Sequence, residues 1–250
     1  MILNRWGKIG IGLCVLFMIS STDGVCEKVQ KDIVLLMHLD EGSGTMAQDS
    51  SSYANHGTLT NMEGREWTAG KFGNALRFDG KDDYVDCGND ASLNITTAIS
   101  VECWVKTGSS AEGWMETKHL AKQGGIVAKD DSSCNRGWML VMSSGGEAQF
   151  YVGRGVDWQP WLVSTDAIND GVWHHLVGVD DGNTLYIYKD GKPYSTLVGP
   201  HSILTHSYPL CIGKRNSADL HFKGIIDEVC IYNRALNKKE IEEHYRYCQK

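Results

Sequence analysis

Short runs in which apolar and polar residues alternate recur between residue 33 and about residue 232, separated by turns rich in Gly, Asp, Asn and Ser. The run Ile99-Ser100-Val101-Glu102-Cys103-Trp104-Val105-Lys106 alternates with period two, as a strand that buries one face does. Residues 33–39 are almost continuously apolar and predict a buried first strand. Further strands are predicted at 84–86, 126–129, 138–142, 149–152, 171–179, 184–189 and 210–213. Asp190-Gly191 closes one alternating run with the strongest short hairpin signal. The last long strand runs through Phe222-Lys223-Gly224-Ile225-Ile226-Asp227-Glu228-Val229-Cys230-Ile231-Tyr232, and alternation places Ile225, Val229 and Ile231 on one face. Asn237 then caps a helix over 238–247, with Glu240 three residues on as in a capping box. Residues 108–124 have no period and predict a long surface loop. About a dozen strands and one helix define an all-β, two-sheet antiparallel sandwich rather than a βαβ fold.

Composition sharpens this picture. With 28 Gly and only 4 Pro, the chain is furnished for many short strands joined by tight turns. A net charge of −7, with no run of Lys or Arg, argues against a phosphate-binding surface and so against nucleic acid as a partner. Residues 1–22 have the make-up of a secretory signal: Arg5 and Lys8, an apolar core from Ile9 to Ile19, then small Ser20, Ser21 and Thr22. Residues 23–32 read as a short linker and 33–250 as one domain. No later stretch is long and apolar enough for a membrane-spanning helix, so the mature chain is expected to be secreted and not membrane-inserted.

Of eight Cys, Cys14 falls in the signal core, which leaves an odd number. Cys26 and Cys248 flank the folded region and are the expected disulfide, because the termini of a domain tend to lie close together. Cys103 falls on the inward face of its strand and is expected to be a buried small hydrophobe.

Two groups of residues could bind a ligand. Asp40, Asp49 and Asn55 sit in glycine-rich loops after the first strand, and Asp227 on the last one. Ca²⁺ takes about six to eight hard oxygen ligands, and these residues supply them if the two chain ends meet. Otherwise they satisfy turn N–H groups as Asx-turns. Residues 153–161 place Arg154, Asp157, Trp158 and Trp161 in one loop-like stretch, and Trp114 lies in the 108–124 loop. Exposed aromatics that stack on a pyranose, with charged residues to fix its hydroxyls, are the make-up of a carbohydrate site. The alternative is that these Trp cover the edge of the core.

Catalysis is poorly served. Asp227 and Glu228 are neighbours on a strand, so their side chains diverge and do not flank one glycosidic bond at the ~5–9 Å that hydrolysis requires. His174 and His175 diverge for the same reason, one expected to hydrogen-bond in the core and the other to be exposed. No nucleophile-elbow, zinc-protease or phosphate-loop motif occurs.

The run from Gly224 to Leu236 resembles the closing motif of the laminin-G-like (LamG-like) jelly-roll family, of the form G-x-I-D-E-V-x-I-Y-N-R-A-L. Asp40-Glu41-Gly42-Ser43-Gly44-Thr45, Gly70-Lys71-Phe72-Gly73-Asn74-Ala75-Leu76-Arg77-Phe78-Asp79-Gly80 and Trp173-His174-His175 resemble further family motifs. The resemblance covers residues 33 to about 246. It implies a concanavalin A-like jelly roll, secreted or surface-located, that binds glycans or proteins. It also implies a structural Ca²⁺ at the positions of Asp40, Asp49 and Asp227. The expected function is therefore a non-catalytic carbohydrate-binding protein whose partner is a glycan or polysaccharide. The alternative is an adhesion module whose partner is an extracellular protein.

Overall fold

The computed structural model describes residues 32–64, 66–108, 124–131, 133, 136–153, 155, 161–199, 202–216 and 220–247. Among these residues sixteen strands succeed one another, more than the dozen that alternation alone picked out. They are β1 (Ile33–Met37), β2 (Met46–Ala47), β3 (Gly57–Thr60), β4 (Trp67–Ala69), β5 (Asn74–Asp79), β6 (Tyr84–Asp86), β7 (Ile99–Lys106) and β8 (Gly124–Asp130). The chain continues through β9 (Gly137–Met142), β10 (Glu147–Val152), β11 (Trp161–Ala167), β12 (Trp173–Asp180), β13 (Thr184–Lys189), β14 (Lys192–Val198), β15 (Cys211–Ile212) and β16 (Lys223–Tyr232). Helix α1 (Lys238–Tyr247) follows, at the expected residues. The Asn237 side chain accepts from the Lys239 and Glu240 amides, and Glu240 accepts from the Asn237 amide, which completes the capping box.

The strands form two antiparallel sheets. One runs β14-β13-β12-β7-β16-β5-β4, with β1 also on β16; the other runs β11-β10-β9-β8-β15-β6-β3-β2. Their inner faces enclose one apolar cluster that includes Leu35, Phe78, Val101, Leu140, Phe150 and Ile231. Each such side chain removed from water contributes about 1.5–3 kcal/mol, which makes this interface the main source of stability. Helix α1 covers part of the outer face of the first sheet, where Leu36, Val177, Tyr232, Leu236 and Ile241 pack together.

Strand β16 organises its sheet. It pairs with β7 on one edge; on the other it pairs first with β5 and then with β1. The opening and closing strands therefore lie side by side, as the sequence suggested. Between Asp227 and Cys230 the register against β7 slips, and Glu228 has a φ of 49°. This is a β-bulge, an extra residue that reverses the alternation. Upstream of it Ile226, not Ile225, joins Val229 and Ile231 in the core, and Ile225 faces outward opposite Lys106.

Cys87, Cys103, Cys211 and Cys230 are buried free thiols. Burial pushes Cys211 up to about 12 and the other three above their usual value, which leaves them inert. Cys26 and Cys248 lie outside the described residues, and with them the expected disulfide.

Candidate functional site

Two of the three sequence-nominated acids meet at one corner. The loop between β4 and β5, Gly70-Lys71-Phe72-Gly73, is gripped at both ends by carboxylates. Asp227 Oδ2 accepts the Lys71 and Phe72 amides at 2.7 and 3.0 Å, and Asp40 Oδ1 accepts the Asn74 amide at 2.8 Å. Gly70 is required here, because a Cβ would strike Asp227 and the backbone oxygens of Phe72 and Asn74. Glu228, turned by the bulge, pairs through Oε2 with His38 Nδ1 at 2.8 Å. Its Oε1 is buried without a hydrogen-bond partner.

Burial, opposed by the Phe72 amide and aided by the Glu228 charge, pushes Asp227 up to about 8. Burial also raises Glu228, against the pull of His38. Burial crowds the Asp227 and Glu228 carboxylates together, but Asp40, Asp227 and Glu228 do not each bring an oxygen within 4.8 Å of the others, so the described residues do not assemble the expected Ca²⁺ ligand set.

Asp49 does not join them. Its two oxygens accept the Leu36, Ser51 and Asn55 amides and the Ser51 hydroxyl, all within 2.8 Å, so it serves as a loop brace of the Asx type. Asn55 likewise binds the Val34 carbonyl and Ser92. Among the described residues three acids do bring their oxygens within 4.8 Å of one another, but they are Asp79, Asp82 and Asp83 in the turn after β5.

The outer face of the first sheet carries three successive layers. Nearest α1, Glu102 accepts from His175 Nε2 at 2.7 Å, His244 Nδ1 at 3.0 Å and the Tyr232 hydroxyl at 3.3 Å. Burial opposes the Glu102 charge, but the charge on His244 and the two histidine hydrogen bonds outweigh it and hold the carboxyl well below its usual range. Next, Trp104 stacks on Tyr245 at 5.8 Å and carries Lys71 over its ring at 4.5 Å. Beyond that, the register aligns Arg77, Ile225, Lys106 and Trp173 across β5, β16, β7 and β12. Directly opposed residues have Cβ atoms about 4.5–5.5 Å apart, so the four form a continuous row. A cavity of 480 Å³ opens at this row, lined by Arg77, Lys81, Lys106, Lys223, Ile225 and Gly171 among others.

Of the sugar-binding residues nominated from sequence, only Trp161 has a described backbone. Arg154, Asp157, Trp158 and Trp114 lie outside the described residues, and the backbone of Trp161 opens β11 opposite Val152. Both histidines of the pair are buried, which corrects the expectation of an exposed one. His174 bonds Asp190 and Asp170, and His175 bonds Glu102. The residues that sequence reasoning missed are Arg77, Lys106, Trp173 and Lys223. Their one local signal was a polar or aromatic residue at an outward strand position.

Comparison with known proteins agrees with this architecture. No curated protein matches the chain. Among solved structures, the binding domain of Paraclostridial Mosquitocidal Protein 1 superposes with a TM-score of 0.66 at 16% identity, covering 87% of this chain and 52% of that one. A botulinum neurotoxin type C structure, described as dependent on two ganglioside molecules for cell entry, gives 0.62 at 14%, covering 90% and 53%. The botulinum neurotoxin serotype D ligand-binding domain in complex with N-acetylneuraminic acid gives 0.63 at 12%, covering 87% and 51%. The chain thus spans about half the length of these structures, and at such identities the likeness is one of fold. The sequence model of the concanavalin A-like lectin/glucanases superfamily matches residues 79–242, from the end of β5 into α1, and to that superfamily the chain belongs.

Proposed function

We propose that the chain is an extracytoplasmic, non-catalytic carbohydrate-binding domain that uses the open end of its β7–β16 sheet. The observation that carries this reading is the cavity beside Lys106 and Ile225, with Trp173 on the same face and four basic side chains in its wall. An apolar patch, an aromatic and a few convergent charges are what a saccharide needs for stacking and for orientation. The superfamily name covers both lectins and glucanases. The binding reading is favoured because Asp227 and Glu228 serve the β16 bulge and its loops. Ganglioside and N-acetylneuraminic acid binding by the toxin domains lends the reading support by analogy of fold. Extracytoplasmic placement rests on the signal-like residues 1–22. A structural Ca²⁺ belongs to the proposal at the corner of Asp40 and Asp227, where it would offset their charge and fix the Lys71–Phe72 loop.

The test is a glycan array probed with the full chain and with Trp173→Ala. Binding by the wild type that the variant loses is expected. Capture of one extracellular protein with no glycan signal would instead favour the adhesion reading.

A further inference from the structure

The cavity concentrates positive charge on an acidic chain. Four cations line it, Arg77, Lys81, Lys106 and Lys223, in a protein whose net charge is −7. Lys81 is paired with Asp79, the carboxylate on the same wall, at 3.7 Å. Arg77, Lys106 and Lys223 form no ion pair with a described carboxylate; the guanidinium of Arg77 makes one weak bond, 3.3 Å, to the Thr68 hydroxyl. The three come from separate strands, β5, β7 and β16, and the register brings them to one place. Ile225 lies between Arg77 and Lys106 and supplies an apolar floor. Charges over such a floor act through less water and attract an anion more strongly.

The floor itself is set by backbone geometry. Ile225 faces outward only because of the bulge at Glu228. The Thr107 hydroxyl donates to the Lys223 carbonyl at 2.8 Å, and the Gly171 amide donates to the Thr107 carbonyl at 2.9 Å, so the ends of β7 and β16 and the loop before β12 are tied together. The cation positions are therefore held by strands and not by a free loop. Its 480 Å³ is in the range of small-ligand pockets, roughly 300–1,000 Å³.

Resting on the carbohydrate-binding reading, we propose that this cavity selects an acidic saccharide. A carboxylate or sulfate ester on the sugar enters the fork of Arg77, Lys106 and Lys223, and the ring lies toward Trp173. Arg77 supplies the planar, two-pronged donor that matches either group, and the lysines add charge without fixed geometry. Neutral sugars leave three cations desolvated without a counter-charge and bind more weakly.

The experiment compares dextran, carboxymethyl dextran and dextran sulfate, which share one backbone, together with polygalacturonate, by calorimetry at fixed ionic strength with the full chain. Binding to the acidic polymers but not to dextran is expected. Arg77→Ala and Lys106→Ala are each expected to weaken it roughly tenfold, the loss of one charge-assisted contact. Arg77 is exposed and Lys106 half-buried, so neither truncation opens the core, and a melting curve for each variant confirms that it folds. A triple variant at Lys192, Lys238 and Lys239, exposed lysines elsewhere, removes three charges against one in each site variant and is still expected to bind as the wild type does. Equal loss in that control would overturn the site by showing bulk charge attraction. Binding to dextran as strong as to its acidic forms would overturn the selectivity and leave the lectin reading standing. Binding to no polysaccharide, in this set or on the array, would remove both.

Discussion

Glu102 offers the clearest test of how the outer face of the sheet is held together. Its carboxylate lies between β7, β12, β16 and α1 and is the shared acceptor for His175, His244 and Tyr232. Glu102, His175 and His244 are 6%, 1% and 9% exposed, so water cannot replace a lost partner. In Glu102→Ala two imidazole N–H groups and a hydroxyl lose their acceptor at once. Removing one partner of a buried charged network costs about 3–5 kcal/mol. Glu102→Gln is milder. Its oxygen can sit at the Oε1 position, which both histidines reach at 2.7 and 3.1 Å, and its NH₂ can donate to the Tyr232 hydroxyl. Two hydrogen bonds then lose their charge, a cost of about 2 kcal/mol in all. At about 2–4 °C per kcal/mol for a domain of this size, the alanine variant melts roughly 10 °C lower and the glutamine variant roughly 5 °C lower at pH 7.

The acid limb has a definite sign. The folded-state pKa of Glu102 is depressed, so its contribution is present above the ordinary glutamate pKa and is lost as pH falls through and below it. The gap between wild type and Glu102→Gln is therefore expected to hold from pH 7 to about pH 5 and to narrow as the pH falls further. Thermal melts across that range, with hydrogen exchange on the α1 amides, measure both effects. An alanine variant within about 1 kcal/mol of wild type, or a gap that does not change with pH, would refute the assignment of Glu102 as the anchor of α1.

Three other perturbations follow from the same structure. Chelation with EGTA is expected to lower the melting midpoint of the wild type by several degrees and to leave Asp227→Asn unmoved; no shift in the wild type would reduce Asp40 and Asp227 to loop braces. Gly178→Ala in β12 drives a Cβ into the Phe150 ring across the sandwich and is expected to cost about 1–3 kcal/mol, partly recovered by Phe150→Leu; urea denaturation reads both. Asn237→Ala removes the α1 cap and is expected to cost about 1 kcal/mol, seen as a melting shift of a few degrees with binding unchanged.

Much of the fold was legible because each strand advertises itself locally. The alternation of 99–106 needs only its own residues, and so does the Asn237 and Glu240 cap, which the structure repeats atom for atom. Short edge strands such as β2 and β4, with two and three residues, carry too little pattern to be read. The bulge was hidden for another reason. Nothing in Ile226-Asp227-Glu228 announces an extra residue; it exists through pairing with β7, more than a hundred positions away.

The candidate site was out of reach on the same ground. Arg77, Lys106, Trp173 and Lys223 are isolated in sequence and become one site through lateral register. Likewise Asp49, Asp40 and Asp227 looked equivalent as candidate ligands, and what separates them is which amides surround each.

The extra residue in β16 makes the strand two reading frames joined at Glu228. Downstream, odd numbers point inward; upstream, even numbers do. Excising Glu228 would bring the halves into phase without turning either one: Val229 and Ile226 would stand two places apart, both still inward, and Ile225 would still face Arg77 and Lys106. What the deletion would remove is the partner of His38. A single-codon deletion there is thus a way to take out the Glu228 carboxylate and its extra residue together while sparing the core, the helix and the recognition face.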